Sequence, residues 1–176
     1  RRQGPGPVRM PFKASSAGRR PEQRARLQLN VKRLDRLYDT ERAFVHLYGD
    51  SEHAFWLDSS RVDERARFSF MGATGGPLSA FVTYDVGSEE VRVERGGEVE
   101  LHSETIFDYL GREMRRMRYL SDDLPFDFNC GFAGYFGYEL KGDCEGDLPY
   151  EATTPDAAFV FADRLIAFDH ELGETH

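Results

Sequence analysis

The chain has 176 residues, of which 40% are hydrophobic and 13% aromatic, a composition that supports a packed core and excludes a wholly disordered protein. No apolar run approaches the roughly 18 residues that a membrane span requires, so no membrane partner is expected. The net charge of −8 conceals an asymmetry: residues 1–33 carry ten Lys or Arg against the single acid Glu22, while the other 143 residues carry 13 basic and 30 acidic side chains.

The arm at residues 1–26 is rich in Gly, Pro, Ser and Arg and reads as a solvated linker. It lacks the interleaved aromatics that stack on bases, and the acidic body would repel a phosphate backbone, so no nucleic-acid partner is expected. The chain does not begin with Met and breaks off in the apolar run "DRLIAFDHELGETH", so it reads as a piece of a longer protein. Cys130 and Cys144 are too few for a disulfide framework, which suits a reducing compartment. With no charged-then-apolar leader at the N-terminus, a cytoplasmic location is expected.

In chain order, "RLQLNVKRL" alternates apolar and polar residues and predicts a strand with Leu27, Leu29 and Val31 on one face. "DTERAFVHLYG" predicts a short helix capped by Asp39 or Thr40 and stopped by Gly49. Strands follow at Ala54 to Leu57, Phe68 to Met71 and Leu78 to Tyr84, and "VRVERGGEVELH" predicts a hairpin around Gly96-Gly97. "SETIFDYLGREMRRMRYL" predicts a helix with Ile106, Leu110, Met114 and Met117 on its apolar face and arginines toward the negative end of its dipole. "AAFVFADRLIAFDH" gives one long strand or two short ones. The fold class is α+β, mainly antiparallel β-sheets with a few helices.

No nucleophile, base and orienter can be assembled, and the five histidines are scattered without metal-ligand spacing. In "GFAGYFGYEL", Gly131, Gly134 and Gly137 stand three apart. On a helix they would share one side and permit close approach, to a neighbouring element more readily than to a ligand. The stretch "FWLDSSRVDERARFSFMG" (55–72) carries more chemistry. Asp58 can hold an ammonium group, Ser59 can donate or accept, and Arg67 can grip a carboxylate with two parallel bonds. Together these match the polar ends of an amino acid, with Trp56, Phe68 and Phe70 as apolar wall. An ordinary turn, Asp58 paired with Arg61 or Arg65, accounts for the same residues equally well.

Three motifs in order, "FWLDSSRVDERARFSFMG", "FNCGFAGYFGYELKGDC" and "TTPDAAFVFADRLIAFDH", resemble the N-terminal half of the chorismate-using synthases, the component I family of anthranilate and aminodeoxychorismate synthases. The resemblance spans residues 27–176, and "GYELKGDC" with the basic leader is similar to members fused to a glutamine amidotransferase. It implies a two-sheet fold completed by an absent C-terminal half, which would hold the chorismate site, its magnesium and every catalytic residue. It implies a tryptophan-type pocket at the opening turn, with Asp58 at the acidic position, Ser59 at the serine, and Arg65, Ala66, Arg67 and Phe68 entering the next strand. Half of such a sandwich would expose an apolar sheet face, expected at Phe159, Phe161 and Phe168.

Overall fold

The computed structural model describes residues 27–59, 67–118, 124–144 and 153–176. The basic arm therefore lies outside the described residues, as do Arg65 and Ala66 of the opening turn. Among the described residues two antiparallel sheets and two α-helices form. The helices are α1 (Thr40–Tyr48) and α2 (Ile106–Arg116), and the strands are β1 (Ala54–Leu57), β2 (Phe68–Ala73), β3 (Ala80–Asp85), β4 (Glu90–Arg95), β5 (Glu98–His102), β6 (Gly131–Phe136), β7 (Ala157–Ala162), β8 (Ile166–Asp169) and β9 (Glu174–Thr175). The four-stranded sheet runs β1-β2-β8-β9 and the five-stranded sheet β5-β4-β3-β7-β6. The α+β, mainly antiparallel expectation holds.

Local chemistry sets the element ends. Asp39 caps α1, its carboxylate accepting from the Arg42 N–H at 2.8 Å, and the Gly49 N–H closes the last turn on the Val45 carbonyl at 3.1 Å. Thr105 caps α2 by accepting from the Asp108 N–H at 3.2 Å, while Arg115 and Arg116 occupy the last turn. In the β4–β5 hairpin Gly96 and Gly97 both take positive φ, +58° and +85°, the geometry a two-residue primed turn demands.

The main core lies between α2 and one face of the five-stranded sheet. Val82, Tyr84, Val91 and Val93 from β3 and β4 meet Ala157, Phe159 and Phe161 from β7 and Ile106, Tyr109 and Leu110 from α2. Alternation along each strand explains the set, because register pairs Ala80 with Phe161, Val82 with Phe159 and Tyr84 with Ala157 on that face. Ser69, Met71 and Phe168 are fully buried in the four-stranded sheet.

Four sequence expectations are corrected. The 27–34 segment forms no strand; its one ladder contact is the Leu34 bridge to Thr175, and apolar alternation without paired neighbours does not make a sheet. The glycine motif is not helical. Gly131 and Gly134 lie in β6, and a 3-10 helix follows at Tyr138–Cys144. On α2 the buried face is Ile106, Tyr109, Leu110 and the acid Glu113, while Met114 is 63% exposed. Phe159 and Phe161 are buried because they join the core that α2 covers, and Phe168 is fully buried in the four-stranded sheet. Exposed aromatics instead include Tyr135 and Phe136 of the edge strand β6, Tyr138 at its exit, and Phe107 of α2, which stacks on Phe136.

Candidate functional site

The turn from β1 to β2 brings Asp58 and Ser59 beside the start of β2, as the pairing of Leu57 with Phe70 requires. The Ser59 hydroxyl donates to the Phe68 carbonyl at 2.6 Å, and the Ser59 N–H donates to Ser69 Oγ at 3.0 Å. Ser69 is fully buried, and its hydroxyl donates to Asp58 Oδ1 at 3.0 Å. That uses the one proton the hydroxyl carries, so His170 Nε2, 2.7 Å from Ser69 Oγ, is the protonated nitrogen and donates. An Asp, a Ser and a His thus meet, but not as a nucleophilic site. The acid bonds the serine rather than the imidazole, and the serine is sealed from solvent.

Arg67 stands at the other side of the turn. Its Nε donates to Asp169 Oδ1 at 2.8 Å and its Nη2 to Oδ2 at 2.5 Å, the bidentate pair that a guanidinium makes best. Asp169 is fully buried, and its Oδ1 also accepts from the Glu171 and Leu172 N–H groups at 3.0 and 3.1 Å. The Arg67 bond, with those two N–H groups and against the opposing cost of burial, holds the Asp169 carboxyl below the ordinary carboxylate value. The same bond to Asp169 raises the Arg67 guanidinium. Arg67 also faces Glu171 at 3.4 Å and lies 4.9 Å over the Phe68 ring.

Asp58, Ser59 and Arg67, expected to receive an amino acid, therefore already have partners within the fold. Arg67 already holds a carboxylate, that of Asp169; Asp58 already accepts from Ser69, and Ser59 from neither end is left without a partner. Trp56 is not brought to Phe68 and Phe70. It pairs with Met71, and residues one apart along β2 face opposite sides of the sheet. Trp56 stacks on Phe44 of α1 at 5.4 Å, whereas Phe68 and Phe70 meet Phe126 edge-on at 5.3 and 5.4 Å. Arg61, the alternative partner of Asp58, lies outside the described residues along with Arg65.

Sequence reading missed Ser69, Asp169 and His170. Their bonds to the turn include contacts spanning 101 and 102 residues of chain, and only the β2–β8 pairing brings them together. The available signal was the polar dipeptide Asp169-His170 closing an apolar strand. Glu113 was also missed. It is buried on α2 between Arg112 Nε at 3.4 Å and Arg116 Nε at 3.3 Å. Burial, reinforced by the charge of Glu113, pushes the neighbouring Tyr109 hydroxyl up to about 12.

Among the described residues no group of three His, Cys, Asp or Glu comes together as a metal site, and no helix is long and apolar enough to cross a membrane. Nothing in the described residues fits the magnesium of the resembled family.

No protein-family model matches the chain. It is 44% identical to the aminodeoxychorismate synthase of Streptomyces pristinaespiralis, over 83% of this chain and 21% of that protein. It is 39% identical to a probable chloroplastic aminodeoxychorismate synthase of Oryza sativa subsp. japonica, over 85% of this chain and 19% of that one. The aminodeoxychorismate synthase of Streptomyces griseus is 37% identical over 86% of this chain and 21% of its own length. Among solved structures, anthranilate synthase component I from Streptococcus pneumoniae matches with a TM-score of 0.46 and 24% identity, over 65% of this chain and 24% of that one. The chain is homologous to the N-terminal region of the synthase part of these aminodeoxychorismate synthases, and spans about one fifth of the length of the curated relatives it matches.

Proposed function

We propose that this chain is the N-terminal part of an aminodeoxychorismate synthase, which aminates chorismate with glutamine-derived ammonia to give 4-amino-4-deoxychorismate for folate. The observation that carries this reading is the 44% identity to the Streptomyces pristinaespiralis enzyme. The proposed partners are a glutamine amidotransferase, as a domain or a subunit, and a C-terminal half bearing the chorismate site and its magnesium. Exposed Phe107, Tyr135, Phe136 and Tyr138 beside the edge strand β6 support such a neighbour.

The test is to express the gene's full reading frame and supply chorismate with either glutamine or an ammonium salt. A product with the mass of 4-amino-4-deoxychorismate supports the reading, and anthranilate supports the sister activity. The 176-residue chain alone is expected to leave chorismate untouched, and steady turnover by it would overturn the assignment of catalysis to the other half.

The tryptophan-type pocket belongs to the same proposal, with Asp58, Ser59, Arg65, Ala66, Arg67 and Phe68 as its wall. The bonds already made by Asp58, Ser59 and Arg67 set its terms: an amino acid whose carboxylate seeks Arg67 competes with buried Asp169. Calorimetry with tryptophan measures whether it does.

A further inference from the structure

Register places Phe68 opposite Asp169 and Phe70 opposite Ala167, and residues directly opposite each other share a face of their sheet. Arg67 reaches onto that face, where it grips Asp169 with two bonds and lies 4.9 Å over the Phe68 ring. One face of the four-stranded sheet therefore carries a guanidinium, a carboxylate and two phenyl rings side by side. A small aromatic carboxylate would meet there what it needs, Arg67 for its charge and Phe68 and Phe70 for its ring.

The chain fills both places itself. Asp169 supplies the carboxylate. The ring comes from Phe126 in the 124–130 loop, which stands edge-on to Phe68 at 5.3 Å and to Phe70 at 5.4 Å, with His176 edge-on to it at 5.5 Å. These are the separations of favourable edge-to-face pairs. Phe128, two residues on, meets Phe70 and Phe55 instead, at 5.4 and 6.1 Å, and Phe55 is paired with Gly72, further along β2 from Arg67.

The loop is placed to give way. It joins β6 through Cys130 and Gly131, whose φ values are +89° and +129°, a region uncommon for a residue with a side chain such as Cys130. Phe126 is half-buried. A cavity of about 520 Å³ is lined in part by Leu124 and Phe126, another of about 430 Å³ in part by Phe128, and Asn129 and Cys130 border both. A displaced ring has space to enter.

Building on the pocket read above from Arg67 and Phe68, we propose that the 124–130 loop is its internal plug: Phe126 fills the aromatic half of an aromatic-carboxylate site, so that such a ligand binds only by driving Phe126 out.

The test uses the protein as its gene encodes it and involves neither tryptophan nor chorismate, so failure of the plug and failure of the proposed activity are read separately. The probes are 3-phenylpropionate and 2-phenylethylammonium, matched in size and opposite in charge, followed by calorimetry. Phe126→Ala is expected to strengthen 3-phenylpropionate by about tenfold or more, the worth of one buried phenyl ring, and to leave the amine unchanged. Phe128→Ala, which opens an equal hole away from Arg67, is expected to give no such gain. Should Phe126→Ala lose its near-ultraviolet circular dichroism, Phe126→Leu replaces it, with a gain of about threefold expected from the smaller vacancy. No gain in the folded Phe126 variant, equal gains for the two probes, or an equal gain in Phe128→Ala overturns the plug and leaves Phe126 a packing residue.

Discussion

Replacing Ser69 by Ala removes the hydroxyl on which three bonds converge, from Ser59 N, to Asp58 Oδ1 and with His170 Nε2. A hydrogen bond contributes about 1 kcal/mol net, and a buried group left unpaired costs up to about 3 kcal/mol. Asp58 is exposed and His170 half-buried, so water recovers part of both losses, whereas the Ser59 N–H turns toward a methyl group. The expected destabilisation is about 2 kcal/mol, which at this size lowers Tm by about 4–8 °C. Urea unfolding followed by circular dichroism measures it, with His170→Ala and the double variant completing a cycle. The expected coupling between positions 69 and 170 is about 0.5–1 kcal/mol. A Ser69→Ala variant within about 0.5 kcal/mol of the parent, or a coupling of zero, would show that the network is incidental to the turn.

Asp169 makes stability pH-dependent. Its carboxyl is lowered from 3.8 in the fold, so its contribution is complete above that value and is lost as pH falls through the lower folded value; Asp169→Asn should flatten the acid limb of a stability–pH curve, and an unchanged limb refutes the assignment. Tyr109 is raised from 10.0 to about 12, so stability should decline as pH rises from about 10 toward 12, and Tyr109→Phe should reduce the late-ionising tyrosine absorbance, leaving that of Tyr48, which burial also raises. At Gly134 an added Cβ would stand 2.0 Å from the Ala158 carbonyl oxygen and 2.7 Å from Phe159 Cα. Gly134→Ala should therefore cost about 1–3 kcal/mol by overpacking; a neutral result in urea unfolding would mean that β6 moves aside freely.

Legibility in the sequence followed the range of the interaction. The α1 cap at Asp39 and the Gly96-Gly97 turn were readable because each is fixed within three or four residues. The 27–34 segment was misread because alternation states which side chains could share a face, not whether a neighbour will pair with the backbone. The glycines were misread because a spacing of three is uninformative until the facing chain is known: Gly134 lies opposite Phe159, whose backbone and ring occupy the space of a Cβ. Arg67 does grip a carboxylate, but it is that of Asp169, 102 residues along the chain, which no local pattern signals.

Asp169 and His170 are consecutive, yet one grips Arg67 at the entry to β2 and the other reaches Ser69 within it, while the His170 N–H bonds the Arg67 carbonyl at 3.0 Å. The end of β8 is thereby fastened to β2 by two side chains and one backbone bond, and Ser69 passes the restraint on to Asp58 and Ser59. A turn held by so many bonds keeps its shape without a ligand, since Arg67 already holds a carboxylate and Asp58 Oδ1 and Ser59 already have partners. Binding there would exchange bonds rather than add them, and its net free energy would be small unless the incoming molecule also buries apolar surface. The decisive comparison is tryptophan against glycine, which offers the same polar ends without the indole: if neither binds, the turn is a structural latch; if the two bind equally, it reads the polar ends alone; and selective binding of tryptophan requires apolar surface that receives the indole.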